Sequence, residues 1–199
     1  VISERLKKQV DFIVELDRLK QILRRTLTLD GSRHENSAEH SWHLAVLALV
    51  LSEYSNDSLD LARVLKMALI HDVVEIDAGD TFVYDEEGQA RRPALEAAAA
   101  ERLFGLLPSD QAAELRAIWE EFEARQTPEA TFAASLDRLQ PILQNYHTRG
   151  AAWQANGITK AQVLARNAVI AEGSTVLWEL AKCMVESAAQ KGWLPEENS

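Results

Sequence analysis

Apolar residues recur at Leu6, Val10, Ile13, Leu16, Leu19 and Leu23 in steps of three and four. That spacing predicts an amphipathic helix from Glu4 to Leu23, closed by Arg24-Arg25 against its C-terminal dipole. After the polar loop Asp30 to Glu35, Asn36 with Glu39 three residues on reads as a capping box. It opens a second helix, Ser37 to Tyr54, with His40, Leu44, Leu47 and Leu51 on one stripe. Asn56-Asp57-Ser58 caps a third helix from Leu59 to Ile76, ended by Gly79. Asp85-Glu86-Glu87-Gly88 reads as a solvated, mobile turn, and Pro93 as the first residue of an alanine-rich helix reaching Leu106. Leu107-Pro108-Ser109-Asp110 starts a helix ending near Arg125. Thr127-Pro128 is a cap and first helical residue for a segment through Asp137 to Tyr146. A last helix, capped by Thr159 with Gln162, runs to Lys191. Nothing alternates with a period of two for long enough to make a strand. The expected fold is all-α, a single domain over residues 1–199 with about six to eight helices.

Within the third helix the run from Val64 to Glu75 sets an imidazole and two carboxylates, His71, Asp72 and Glu75, among apolar neighbours. An ionised Asp72 buried there costs several kcal/mol unless it is compensated. Either a hydrogen-bonded ion pair, with His71 or a nearby basic side chain, or a metal ion would serve. The same interruption of an apolar face occurs at His40 and at Asp137, where Arg138 is a candidate partner. Two imidazoles and two carboxylates make a nitrogen/oxygen shell suited to a borderline or hard divalent ion. Glu75, four residues after His71 and three after Asp72, projects near the same face and is placed to orient or deprotonate a water. Spacing leaves the choice between metal and ion pair open, and leaves His43 as an alternative to His40.

Composition narrows the class. The chain of 199 residues is 47% hydrophobic and 26% charged, as a soluble globular protein is. No apolar run approaches a membrane span and no secretory signal is present. The single cysteine, Cys183, excludes an internal disulfide framework, fits a reducing cytoplasm and reads as a small core residue. A net charge of −10 argues against a nucleic-acid partner, so an anionic substrate needs a local cluster of arginines.

In order along the chain, Arg33 to Ser41 (RHENSAEHS), Ile70 to Glu75 (IHDVVE), Ala78-Gly79-Asp80 and Leu136-Asp137 resemble the HD-domain metal-dependent phosphohydrolases, and within them the 5′-deoxynucleotidase branch. The resemblance runs from about Glu4 to Lys191. It implies one divalent ion (Mn, Co, Mg, Fe, Ni or Zn) held by His40, His71, Asp72 and Asp137. It implies Glu75 beside the attacking water and Asp80 facing the sugar or leaving oxygen. It further implies Arg25 and Arg33 on the phosphate, a small phosphorylated substrate such as a nucleotide, and a homodimer. His34, Trp42 and His43 are expected on the rim or in packing, and His147 in a structural role. One departure stands out: the branch follows its first arginine with tryptophan, where Arg25 here precedes Thr26, which weakens any inference about deoxyribose.

The leading expectation is a cytoplasmic phosphomonoesterase acting on nucleoside 5′-monophosphates or a related ester, with Asp80 protonating the leaving oxygen. Pyrophosphate hydrolysis of alarmone-like nucleotides is the alternative and needs a larger basic pocket than Arg25 and Arg33 supply. A non-catalytic nucleotide- or partner-binding helical module is the third. Between Asp72 and Asp137 the chain has no histidine, which points to one metal ion per chain rather than two.

Overall fold

The computed structural model describes residues 2–196. The first helix, α1 (Glu4–Leu16), starts at Ser3, whose hydroxyl accepts from the Leu6 amide. It stops well short of Leu23. A 3₁₀ turn (Asp17–Gln21) follows, and the chain then extends as β1 (Leu23–Leu27), antiparallel to β2 (His34–Asn36). Cross-strand pairing takes Arg24 and Arg25 out of any helix terminus. Of the apolar stripe that predicted the long helix, Leu6, Val10, Ile13 and Leu23 are exposed and Leu19 is buried, while Phe12, outside the stripe, packs inward from α1.

The capping box forms as expected, Asn36 accepting from the Glu39 amide and Glu39 from the Asn36 amide, and opens α2 (Ser37–Leu51). Asp60, not Ser58, caps α3 (Leu61–Ile70). The third helix does not continue to Ile76. It tightens into a 3₁₀ turn (His71–Val74) and resumes as α4 (Glu75–Ala78), closed by Gly79 at φ +76°. The break lets Val73 and Val74 bury in one apolar cluster with Leu103 and Phe104, while His71 rests on Phe122 of the other. Asp85 to Gly88 is not a mobile turn: Asp85 accepts from the Gly88 amide and caps α5 (Glu86–Phe104), with Pro93 inside the helix. The next two helices, α6 (Ser109–Ala124) and α7 (Pro128–His147), match their sequence signals, Thr127 accepting from the Ala130 amide.

A short α8 (Ala151–Ala155) follows α7, and the single last helix expected from Thr159 to Lys191 is broken into α9 (Lys160–Asn167), α10 (Ile170–Gly173) and α11 (Thr175–Gln190). Thr159 and Gln162 form their capping box on α9. The break before α11 is tied from elsewhere: Ser174 donates to the Tyr54 carbonyl at 2.6 Å, and Asn56 donates to the carbonyls of Ala171 and Glu172. On α11, Leu177, Ala181, Val185 and Ala188 face the core, while Val176 and Leu180 stay about half exposed. Cys183 falls on the outer side and is exposed, contrary to its reading as a core residue. The main core is built by α2, α3, α7 and α11, the eight longer helices carry the fold, and the two short strands are the only sheet among the described residues. No helix among the described residues is long and apolar enough to cross a membrane.

Crossing of α10 on α7 depends on Gly173. A Cβ there would stand 2.4 Å from Ser135 Oγ and 2.5 Å from the Thr131 carbonyl oxygen. Gly173→Ala is therefore expected to destabilise the protein by about 1–3 kcal/mol, the usual cost of overpacking, read as a lower urea midpoint at unchanged slope.

Candidate metal centre and its cavity

Four separate elements bring the polar residues together. His40 comes from the first turn of α2, His71 and Asp72 from the 3₁₀ turn, Asp137 from the middle of α7 and Arg24 from β1. One ligand atom each of His40, His71 and Asp72 lie within 4.8 Å of one another, all three side chains being buried. Asp137 joins them through Oδ1, 3.0 Å from His40 Nε2 and 3.9 Å from His71 Nε2. His43 is not among them; its ring lies against Trp42.

His71 has the tautomer that a metal requires. Its Nδ1 is 3.0 Å from the Ala68 carbonyl, which can only accept, so Nδ1 carries the proton. Nε2 is then a buried lone pair with no hydrogen-bond partner, the donor atom a divalent cation would take. The donor set of two imidazoles and two carboxylates fits such an ion.

Behind His40 lies a residue that motif reasoning passed over. Glu35 is buried, its Oε2 sits 3.7 Å from His40 Nδ1, and its Oε1 accepts from Gln140. At that separation there is no hydrogen bond, and neither atom has another hydrogen-bond partner among the described residues, so the carboxylate acts on the ring through its charge and raises its basicity. Its one signal in the sequence was an acidic residue immediately before a helix cap.

Arg24, not Arg25 or Arg33, is the cation of the centre. Its side chain is 13% exposed and donates to Asp72 Oδ2 at 2.8 Å. Its other contacts are Asp80 and Asp137, both at 4.0 Å, and Glu35 at 3.9 Å. Burial works against the guanidinium charge, but Asp72, Glu75, Asp80 and Asp137 overrule it and hold the group above its ordinary range. Arg33 is 55% exposed and forks onto Glu39 with two contacts of 2.7 Å. Arg25 does line the cavity beside the centre.

Burial pushes the Glu75 carboxyl well above the usual carboxylate range, with Asp72 adding to the shift. Ser37 Oγ donates to Glu75 Oε2 at 2.6 Å. Asp80 is also raised by burial, against the pull of Arg24. Asp137 goes the other way: burial would raise it, but the His40 hydrogen bond and the charges of His40, His71 and Arg138 hold it well below the usual range. Next to the centre, about 970 Å³ of empty space, partly open to solvent, has His71, Asp72, Glu75, Asp80 and Asp137 on its wall.

His40 carries the pH dependence of the centre. Burial and Arg24 depress its pKa, but Asp137 and Glu35 outweigh them and lift it to about 9. Below that value the ring is protonated and cannot ligate a metal through Nε2, so binding must expel the proton. Co²⁺ affinity, measured by calorimetry on metal-free protein, should therefore rise by up to about tenfold per pH unit from pH ~6 to ~8.5, with proton release. An affinity flat across that window would remove His40 from the ligand set.

The HD domain family HD_3 matches residues 16–178. Human 5′-deoxynucleotidase HDDC2 is 34% identical over 112 residues, 56% of this chain and 53% of the human protein. The Schizosaccharomyces pombe 5′-deoxynucleotidase hdd1 is 28% identical over 142 residues, 69% of this chain and 70% of the yeast protein. The chain thus spans about half the length of the HDDC2 relatives it matches. A solved structure called a "Predicted metal-dependent phosphohydrolase", from Magnetospirillum magnetotacticum MS-1, is 51% identical with a TM-score of 0.92, covering 96% of each chain. The PH0347 protein of Pyrococcus horikoshii OT3, 20% identical at a TM-score of 0.63, shares the fold. With the family matched across most of its length and the buried His-His-Asp group in place, the chain belongs to the HD domain family.

Proposed function

We propose that this protein is a divalent-metal-dependent phosphomonoesterase that releases phosphate from nucleoside 5′-monophosphates or closely related esters. The observation that carries the reading is the buried His40–His71–Asp72 group, with Asp137 beside it, opening on a cavity that also presents Arg24, Glu75 and Asp80. The names of the HDDC2 and hdd1 relatives, 5′-deoxynucleotidases, support the substrate class. One divalent ion at His40, His71, Asp72 and Asp137 would supply Lewis-acid polarisation of a phosphoryl oxygen and a lowered pKa for water.

The chain's own residues do the rest. Arg24 neutralises a phosphate oxygen from a position fixed by Asp72. Glu75, its proton affinity raised by burial, accepts the proton of the attacking water, and Ser37 fixes its orientation. Asp80, raised likewise, holds a proton for the leaving oxygen. Phe82, Tyr84 and Trp153 give the cavity apolar surface against which a base can pack. Thr26 is buried on the same wall where the branch carries tryptophan, which leaves sugar selection to other residues. A homodimer fits this reading, with the exposed apolar residues of α1 and α11 as available surface.

Pyrophosphate hydrolysis stays as a second reading because of one observation. The basic pocket it requires is larger than Arg25 and Arg33 could provide, and the cavity wall carries Arg24, Arg25, Arg92, Arg125 and Arg138. Phosphate and pyrophosphate release from nucleoside monophosphates and alarmone-type nucleotides, measured with several divalent metals, separates the two. On the productive substrate, Glu75→Gln should keep the metal and lower kcat by about 10²–10⁴. Arg24→Lys keeps the charge but loses the fork and should raise KM, whereas Arg33→Ala should leave kcat/KM near wild type. A collapse of activity in Arg33→Ala with Arg24→Lys unaffected would return the phosphate to Arg33.

A further inference from the structure

The arginines of this protein are mostly matched to carboxylates. Arg5 pairs with Asp110, Arg63 with Glu121, Arg102 with Asp77 and Arg116 with Glu120. Among the described residues Arg25, Arg91, Arg125, Arg138, Arg149 and Arg166 have no carboxylate partner, and of these Arg125 and Arg138 are the two whose Nε is buried. Both line the cavity, and among the described residues neither has a carboxylate within ion-pair distance or a hydrogen-bond acceptor for its guanidinium. The Nε atom of each is buried and without a partner. A buried Nε–H with nothing to accept its hydrogen bond carries a desolvation cost that an acceptor in the cavity would remove, even though both side chains are otherwise partly exposed. Two such groups on one cavity wall, in a chain of net charge −10, mark a place where an anion completes the structure.

This anion is not the scissile phosphate at the metal centre. Asp137 and Arg138 are consecutive on α7, so their side chains diverge by about 100° around the helix. Asp137 turns to His40 and His71. Arg138 instead heads a stripe with Pro141, Ile142 and Asn145, at i, i+3, i+4 and i+7, that walls the cavity. The charges acting on the two basic zones also differ. Those on Arg24 are Asp72, Glu75, Asp80 and Asp137, whereas Arg138 has Asp137 on one side and Arg125, Arg92 and Arg166 around it. Tyr84 lies in the field of Arg138 and Arg166 and faces Asn167, which places this second basic zone with the aromatic part of the cavity. A substrate with its scissile phosphate at Arg24 and its base among the aromatic residues would carry its sugar between the two zones.

We propose that Arg138 and Arg125 form a second anion subsite for a phosphate on the leaving-group part of the substrate, so that the preferred substrate is a nucleoside bisphosphate rather than a monophosphate. The inference rests on the phosphohydrolase reading for the scissile phosphate and adds a specificity that the metal centre does not determine. Arg125 ends α6 in the left-handed region, φ 52°, and lines the cavity from there. Arg92, on α5, is already matched to Glu96 and Glu123 and completes the positive wall rather than the fork.

The test compares wild-type, metal-loaded protein with Arg138→Gln and Arg125→Gln, using a nucleoside 5′-monophosphate, the 5′-diphosphate and the 3′,5′-bisphosphate of the same base. Wild type should favour the bisphosphate in kcat/KM. In Arg138→Gln the bisphosphate-to-monophosphate ratio should fall by about tenfold to a hundredfold, the loss of one charge-assisted contact. A preference for the diphosphate instead, or an equal loss on all three substrates, overturns the inference, since the arginine then serves the scissile end. Thermal shift provides a readout that does not need turnover. Ligand-free Arg138→Gln should melt no lower than wild type, because a buried Nε–H without an acceptor has gone, and should lose the extra stabilisation by bisphosphate over monophosphate. A variant that melts well below wild type and keeps that extra shift shows a structural arginine and overturns the inference. If no substrate releases phosphate but the bisphosphate shift is present and depends on Arg138, the phosphohydrolase reading fails and the subsite stands.

Discussion

Five carboxylates, Glu35, Asp72, Glu75, Asp80 and Asp137, converge around a single permanent cation, Arg24. Carboxylates in a low-dielectric interior must be matched, protonated or neutralised by a metal. The first two remedies are visible. Asp72 takes the guanidinium directly, Asp137 takes His40, and Glu75 and Asp80 are driven toward their protonated forms. A divalent cation among His40, His71 and Asp72 would supply the missing charge and would lower the proton affinity of both raised carboxyls. The chemistry assigned to Glu75 and Asp80 depends on that balance, because the readiness of each carboxyl to take or give a proton follows its pKa.

Local structure is arranged around the same constraint. Arg24 reaches the centre because it lies in a short strand and not at a helix end, and the strand exists only through its pairing with His34–Asn36. The partner strand runs straight into the Asn36–Glu39 capping box, which fixes where α2 begins and hence where His40 points. Arg33 pairs with Glu39 on the exposed side of that cap. The 3₁₀ turn at His71–Val74 divides its residues between two duties, with His71 and Asp72 toward the centre and Val73 and Val74 in the apolar cluster behind it. An uninterrupted helix would spread these four side chains around its circumference at about 100° intervals.

The cavity is polar in two distinct ways. At one end negative charge exceeds positive and a metal is called for; along the far wall unmatched arginines call for an anion. A strongly acidic protein repels anionic substrates at long range, so the capture of one depends on short-range, desolvated contacts of this kind. Their sources are scattered: Arg24 and Arg25 on β1, Arg92 on α5, Arg125 at the end of α6 and Arg138 on α7.

What was written locally could be read from the chain alone. The Asn36–Glu39 and Thr159–Gln162 boxes, the Thr127-Pro128 start of α7 and the all-helical class depend on contacts within a few residues, so the sequence determined them. The polar interruptions at His40, His71, Asp72 and Asp137 were legible for the same reason, since each breaks its own helix face. Tertiary structure decided the rest. The early end of α1, the breaks at His71 and Ser174 and the outward face of Cys183 follow from partners far along the chain, among them β2, Tyr54 and Asn56. Arg24 and Arg25 are adjacent and chemically identical, and Arg33 lies nearby, so local pattern gave no ground for choosing among them; the pleat and register of β1 made the choice. Glu35, Arg125 and Arg138 belong to no local motif and acquire meaning only through what packs against them, because desolvation is a property of the folded environment and not of the residue.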